Sequence, residues 1–569
     1  MPFKTITRVS PLTFAAVLVA VLISAPVLSV FSNVLVGGTG DTWSHMASTV
    51  LPEFILNTLV LCVAVGVGVS SIGVTCAWLT TMLEFPGRRF FEWALVLPLA
   101  VPAYVMAYVY TDLLQFVGPV QTWLRETFGW RAGDYWFPEV RSVGGAAAMF
   151  IFVLYPYVYL LARGAFLERA SGMLEAGRSL GLGPWRCFVS VSLPLARPAL
   201  VAGTALALME TLADFGTVAY FGVQTFTTGI YRAWFSLGDR IAAAQLSALL
   251  LGFVVLVLVL EQASRGRAQF NNTTRQQAMP VRVALPGAAG LLAALACFLP
   301  LFFGFLLPGA LLLDMAVVEG DAQFGTRFFD LARNSFLLAA VSAVVAIGLA
   351  ILLAYAARSS RSRLPRIGNR VVNLGYAVPG SVIAVGVLIP VTRLDAVIAS
   401  VWEASFGVNP GLVLTGGIAA LVYAYMTRFL AIALQTVESS LGKITPNMDD
   451  AAQSLGHGKL GTLGRVHVPI LRGSLLTAGL LVFVDVMKEL PATLVMRPFN
   501  FDTLATQAHT LAADERLTEA STAALTIVAV GLLPMIIISR QIVGAARRSR
   551  QQEPVSRAGL PDVAAPTKA

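Results

Sequence analysis

The chain has 569 residues, 57% of them hydrophobic and only 12% charged, with a mean hydropathy of +0.75. This excludes a water-soluble globular protein and describes an integral membrane protein, since each apolar run of about twenty residues can cross the hydrocarbon as a helix. The formal charge of +9 would suit a nucleic-acid partner, but its distribution follows membrane topology instead, so none is expected.

Twelve spans are predicted, near 11–35, 55–82, 93–112, 145–163, 198–222, 241–261, 284–307, 332–357, 371–392, 411–437, 471–497 and 521–544. Lys4 and Arg8 precede the first run as in a signal peptide, and Ser24-Ala-Pro lies where cleavage would fall. That run exceeds an h-region of about 7–15 residues, so an uncleaved first span is expected. With the N-terminus in the cytoplasm, Arg358, Arg361, Arg363, Arg366 and Arg370 crowd one inner loop, and Arg547, Arg548 and Arg550 follow the last span on the same side. This is the positive-inside bias, and it makes both termini cytoplasmic. Outer segments fall near 113–144, 223–240, 308–331, 393–410 and 498–520. Trp123, Trp130, Trp136 and Phe137 mark the first as surface-lying or partner-contacting. Cys62, Cys76, Cys187 and Cys297 show no metal-ligand or disulfide spacing, and His45, His457, His467 and His509 are scattered.

One polar stretch occurs twice, 275 positions apart. Glu175-Ala-Gly-Arg-Ser-Leu-Gly181 is followed by Val191-Ser-Leu-Pro194, and Asp450-Ala-Ala-Gln-Ser-Leu-Gly456 by Val466-His-Val-Pro469. Each is a hydrophilic helix-turn-helix placed in the cytoplasm just before an apolar span. Ala176, Ala451 and Ala452 favour helix, and Gly181 and Gly456 end it by accepting a left-handed conformation. Glu175 and Asp450 are expected near helix N-termini, where negative charge complements the dipole. Two kept polar surfaces suggest two docking points for soluble partners. The duplication goes further: Asn57-Thr-Leu matches Asn334-Ser-Phe, and Ala100-Val-Pro-Ala matches Ala377-Val-Pro-Gly. The chain thus reads as two six-span halves, 1–261 and 284–544, with a polar linker 262–283 and a basic, disordered tail 545–569. An even span number makes the repeats parallel, so a pathway between them is the natural geometry. Pro102 and Pro379 are expected to kink equivalent helices.

The span after each polar loop carries a second repeated feature: Glu210 and Asp214 match Asp485 and Glu489 at the same offset. The i, i+4 spacing predicts each pair on one helical face, about 15 Å deep for Glu210. Even lenient insertion scales charge about 2.5–3.5 kcal/mol for such a group. Three readings stay open: the carboxylates line a pathway and attract a hard cation; they pair with Lys488, Arg428 or helix-end donors to lock the halves; or they reset a gate by protonation. Gly216 and Pro491, just beyond each pair, are positioned to break the helix. Tyr104, Tyr108, Tyr110, Tyr155, Tyr157 and Tyr159 invite a ferric-phenolate idea, but interfacial placement and helix packing explain them more simply.

At the repeated loops the chain resembles the inner-membrane permeases of binding-protein-dependent ABC importers, whose hallmark is Glu-Ala-Ala, three residues, Gly, nine residues, Ile, one residue, Leu-Pro. The departures are conservative: Gly177 for the second Ala, Asp450 for Glu, Val191 and Val466 for Ile, and Val468 for Leu. Nearly the whole chain resembles the fused, two-half ferric-iron permeases, as in Lys488-Glu-Leu-Pro-Ala-Thr and Arg497-Pro-Phe-Asn-Phe-Asp-Thr-Leu. The resemblance implies an all-α, type I importer permease in the bacterial inner membrane, with no catalytic residue or cofactor of its own. Two copies of one cytoplasmic ATPase, carrying ATP and Mg, would dock on the loops. A periplasmic or lipid-anchored ferric-iron-binding protein would dock outside. If a metal rests in the membrane, Glu210, Asp214, Asp485 and Glu489 are the candidate ligands. The nearest approach to a phosphate loop, Gly456-His-Gly458-Lys459-Leu460, has Gln453 where the first Gly belongs and Leu460 where a hydroxyl belongs. The alternatives are the same role for another small solute such as thiamine, or a proton-coupled secondary transporter.

Overall fold

A computed structural model of the chain describes residues 10–34, 40–179, 181, 183–265, 282–320, 325–360 and 362–551. Lys4 and Arg8, all but the ends of the predicted linker, and the tail beyond 551 lie outside these residues. Among them, 11 helices are long and apolar enough to span a membrane, or 12 if the bent pair Arg88–Ala100 and Ala103–Phe128 counts as one span. The fold is all-helical apart from a two-residue parallel pairing, Leu83 with Val283 and Glu84 with Ala284, which ties the linker's end to the first half.

Helix Leu51–Met82 shows how the sequence sorts its faces. Phe54, Thr58, Leu61, Val65, Val69, Gly73 and Cys76 recur every three or four residues and are buried. Leu56, Val60, Val63 and Val67, on the other side, are exposed. An apolar exposed stripe is stable only against lipid, and the backbone is satisfied within the helix.

The repeat is visible in the packing. Leu51–Met82 packs on Val143–Ser179 and Leu193–Ala213, and the equivalent Thr326–Ser359 packs on Ala419–Leu441 and Val468–Met487. The less similar leading helices cross over. Pro11–Val34 packs against Gly380–Phe406 of the second half, and Ala288–Leu301 packs on Leu51–Met82 of the first. Gly386 permits the first of these contacts: a Cβ there would sit 2.3 Å from the carbonyl oxygen of Pro26.

Four predicted elements are corrected. Pro102 and Pro379 do not kink continuous helices; both stand in extended conformation (ψ 144°) as N-caps of new helices, with a 91° bend at the first. The helix after Pro379 runs to Phe406, through the outer segment expected at 393–410. The apolar helix beginning at Ala288 likewise continues to Val318, into the outer segment expected at 308–331. Glu175 sits near the C-terminal end of Val143–Ser179, so the favourable dipole interaction expected for it is absent.

Candidate functional site

The two spans that carry the repeated carboxylates end early. Leu193–Ala213 stops before Asp214, and Val468–Met487 stops before Lys488; short helices, Gly216–Tyr220 and Pro491–Met496, restart after each gap. The expected i, i+4 faces are therefore interrupted. Asp214 lies in extended backbone (ψ 139°), and Glu489 lies beyond its span. Their carboxylates do the work of caps. Asp214 accepts from the Thr217 amide at 2.8 Å and the Thr217 hydroxyl at 3.1 Å. Glu489 accepts from the Ala492 amide at 2.8 Å and from the Thr493 amide at 3.0 Å. A carboxylate at a helix start meets free N–H groups and the positive end of the dipole, which offsets part of its burial cost.

The other two carboxylates differ between the halves. Glu210 reaches across: it accepts from the Tyr376 hydroxyl at 2.9 Å and from Arg428 Nη2 at 3.3 Å, both on the second half. Asp485 stays on its own side, with Lys488 Nζ at 2.9 Å. All four line one cavity of about 120 Å³, between the halves, together with Tyr104, Tyr157, Tyr376, Arg428, Lys488 and Pro491. Four formal negative charges face two positive ones there. Among the described residues, no three His, Cys, Asp or Glu side chains are arranged to hold a metal ion.

Of the other tyrosines, Tyr108 bonds His509 Nδ1 at 2.8 Å, Tyr110 donates to the Phe303 carbonyl at 2.6 Å, and Tyr159 donates to the Glu92 carbonyl at 2.8 Å. Burial holds the His509 imidazole down at about 4, well below its ordinary value.

The two polar loops share a backbone plan. Gly181 and Gly456 have φ of 80° and 82°, and among the described residues a Cβ on either would meet nothing within 4 Å. After each, a four-residue helix and one π turn lead into the next span, with Pro194 and Pro469 in its first turn. In the second loop Gly456 closes helix Pro446–Ser454 with two bonds, Gly456 N–H to Gln453 and His457 N–H to Ala452, the Schellman arrangement. Ala452 is buried, while Asp450 and Ala451 lie on the loop surface. The side chains of Glu175, Ala176 and Gly177 lie outside the described residues, but their backbone is helical.

Three functional groupings escaped the sequence reading. Arg358, at the end of Thr326–Ser359, binds Asp449 through Nη2 at 2.8 Å and donates to the carbonyls of Leu441 and Ile444. Fully buried His467 meets the same carboxylate at 2.6 Å. Together they clamp the second loop to its half. Capping boxes at Thr225/Thr228 and Thr503/Thr506 open equivalent outer helices. Asn57 and Asn334 donate to the carbonyls of Gln224 and Asp502, at 2.9 and 3.1 Å, tying those segments to equivalent helices. The signal for the capping boxes was a second repeat offset, Thr-x-x-Thr recurring 278 positions apart; the two asparagines already stood matched in the repeat, and only their partners were hidden.

Residues 70–265, which include the first loop and its carboxylate pair, match the family model described as binding-protein-dependent transport system inner membrane component. The chain is 26% identical over 535 residues to the Fe(3+)-transport system permease protein FbpB 2 of Haemophilus influenzae, covering 93% of this chain and 98% of that one. It is 22% identical over 501 residues to the putative ferric transport system permease protein FbpB 1 of the same organism, covering 83% and 75%. A shorter stretch of 197 residues is 29% identical to the molybdenum transport system permease protein ModB of Escherichia coli, covering 33% of this chain and 82% of that one. Residues 70–265 are thus similar to the binding-protein-dependent transport system inner membrane components.

Proposed function

We propose that this chain is the two-half permease of an ABC importer that moves ferric iron into the bacterial cytoplasm. The observation that carries the reading is the likeness, over 93% of the chain, to a ferric-iron permease. The geometry supports it: a charged cavity lies between the halves, and a matched polar loop precedes the carboxylate-bearing span of each half. An extracytoplasmic binding protein delivers the iron, and two copies of a separate ATPase sit under the loops, supplying the hydrolysis this chain lacks.

The transmission differs between the halves. Val143–Ser179 is one helix of 37 residues that carries Tyr157 in the cavity and ends in the first loop. From Tyr157, just past Pro156, to Glu175 it is about 27 Å of helix at 1.5 Å per residue, stiff enough to carry a push from loop to cavity. In the second half Ala419–Leu441 ends, and the loop helix Pro446–Ser454 is a separate piece, held to the bundle by Arg358. Closure of the ATPase pair draws the loops together and shifts the halves between inward- and outward-open populations. Proteoliposomes holding permease, ATPase and binding protein should take up ferric iron only with ATP inside the docking compartment. Uptake that persists without the ATPase would favour a proton-driven carrier; ATP-dependent uptake of thiamine in place of iron would reassign the solute.

A further inference from the structure

The cavity's hydrogen-bond inventory is lopsided. Every carboxylate oxygen lining it except Asp485 Oδ2 already accepts a bond from a neighbour: both oxygens of Glu210, of Asp214 and of Glu489, and Oδ1 of Asp485. The spare capacity is in donors. The Tyr104 hydroxyl has no partner among the described residues, although the residue is only 4% exposed and lines the cavity. Arg428 Nε is also without a partner, on a residue 8% exposed. Lys488 spends one of its three N–H bonds on Asp485. Buried donors without acceptors are costly, so the site is built to receive acceptor atoms.

We infer that the cavity receives the oxygens of an anion travelling with ferric iron, an oxyanion or a polycarboxylate, in place of the bare ion. The inference rests on the ferric-iron reading above and specifies the cargo of that same site. Carboxylates that hold helix starts and a cross-half ion pair are poorly free to wrap a naked cation, whereas Tyr104, Arg428 and Lys488 converge on one space. The balance of four acidic and two basic groups fits as well. It repels an anion alone but accepts one whose charge a trivalent metal has cancelled. Arg is suited to such oxygens because its guanidinium presents several donors in one plane.

Tyr104→Phe is the sensitive variant, because the hydroxyl has no partner to lose among the described residues and the parent's melting temperature should be kept. Proteoliposomes of the complete transporter are given radioiron with either radiolabelled phosphate or radiolabelled citrate, and both labels are counted inside. The expected result is one anion entering in constant ratio to iron, no entry of either anion without iron, and a half-saturation concentration raised about tenfold by Tyr104→Phe, the worth of one bond to a charged acceptor. Whichever label follows the iron assigns the anion class. Iron entering with neither label, at a half-saturation concentration indifferent to Tyr104→Phe, overturns the inference while leaving the permease reading intact. No iron entering with either anion, while ATP is hydrolysed, removes the ferric reading and the inference with it.

Discussion

The ion pair between Glu210 and Arg428 joins the halves across the cavity, and its loss should be strongly non-additive. At 3.3 Å and an effective dielectric of about 20, the two charges attract by about 5 kcal/mol before desolvation is subtracted. Arg428 is 10% exposed at its side chain and Glu210 25%, so neither can turn to water without the halves parting. Glu210→Gln strands a buried guanidinium and Arg428→Gln strands a carboxylate held only by Tyr376, each costing about 3–5 kcal/mol. The double variant leaves two neutral amides in bonding range and should recover most of that loss, costing about 1–2 kcal/mol, so that the coupling is about 5–8 kcal/mol. Thermal melts of the four proteins in one detergent give the ordering: both single variants well below the parent, the double variant close to it. Losses that simply add would refute the latch, because two residues that do not hold each other have nothing to restore.

Arg358→Ala removes the bond to Asp449 and two to carbonyls of the second loop, so ATP hydrolysed per iron transported should rise severalfold while the protein still inserts; paired uptake and phosphate-release assays measure it. Gly181→Trp with Gly456→Trp places each new Cβ clear of the described residues, at a backbone cost of about 1–2 kcal/mol each, and should abolish co-purification of the ATPase without preventing insertion. Retention of the ATPase would argue against docking at these loops. His509 supplies a pH dependence. Its folded value, about 4, lies below the ordinary 6.5, so the unfolded chain binds the extra proton first and stability falls as pH drops from about 6.5 towards 4. His509→Gln, which can still bond Tyr108, should flatten that part of a melting-temperature profile.

The membrane architecture was legible because apolar length and the repeat offset are strong signals. Both loop glycines stand left-handed as expected, since a helix that ends in Gly before a polar turn has few other ways to close. The carboxylates were found for the same reason: a charge in an apolar run is conspicuous. Their separate duties were not legible. Periodicity placed Glu210 with Asp214 and Asp485 with Glu489, but breaks before Gly216 and Pro491 split each pair into one group held by a cation and one that caps the next helix. Tyr376 escaped notice because nothing local marks a tyrosine as the partner of a carboxylate 166 residues away. The Arg358 clamp was hidden likewise: its arginine sits in a basic cluster that topology alone explained, and its carboxylate is the neighbour of the motif's Asp450.

The departures from two-fold symmetry are informative because the repeat is otherwise so regular. Equivalent carboxylates, helix breaks, capping boxes and asparagine ties recur in both halves, so geometry that only builds the bundle is kept twice. What differs lies at the cavity and at the loops. One carboxylate is latched across the interface and its counterpart is neutralised locally. One loop grows from an unbroken helix and the other hangs from an arginine clamp. A symmetric motor pushing equally on both loops would then move the halves unequally: the rigid side transmits displacement, while the jointed side yields at residues 442–445. Shortening the joint should test this. Deleting Gly442 joins the two helices more tightly and should lower transport while leaving Glu210 and Arg428 paired, seen as the same loss of melting temperature on adding Glu210→Gln to the deletion variant as to the parent. Transport preserved at the parent rate would mean that the joint yields nothing during turnover.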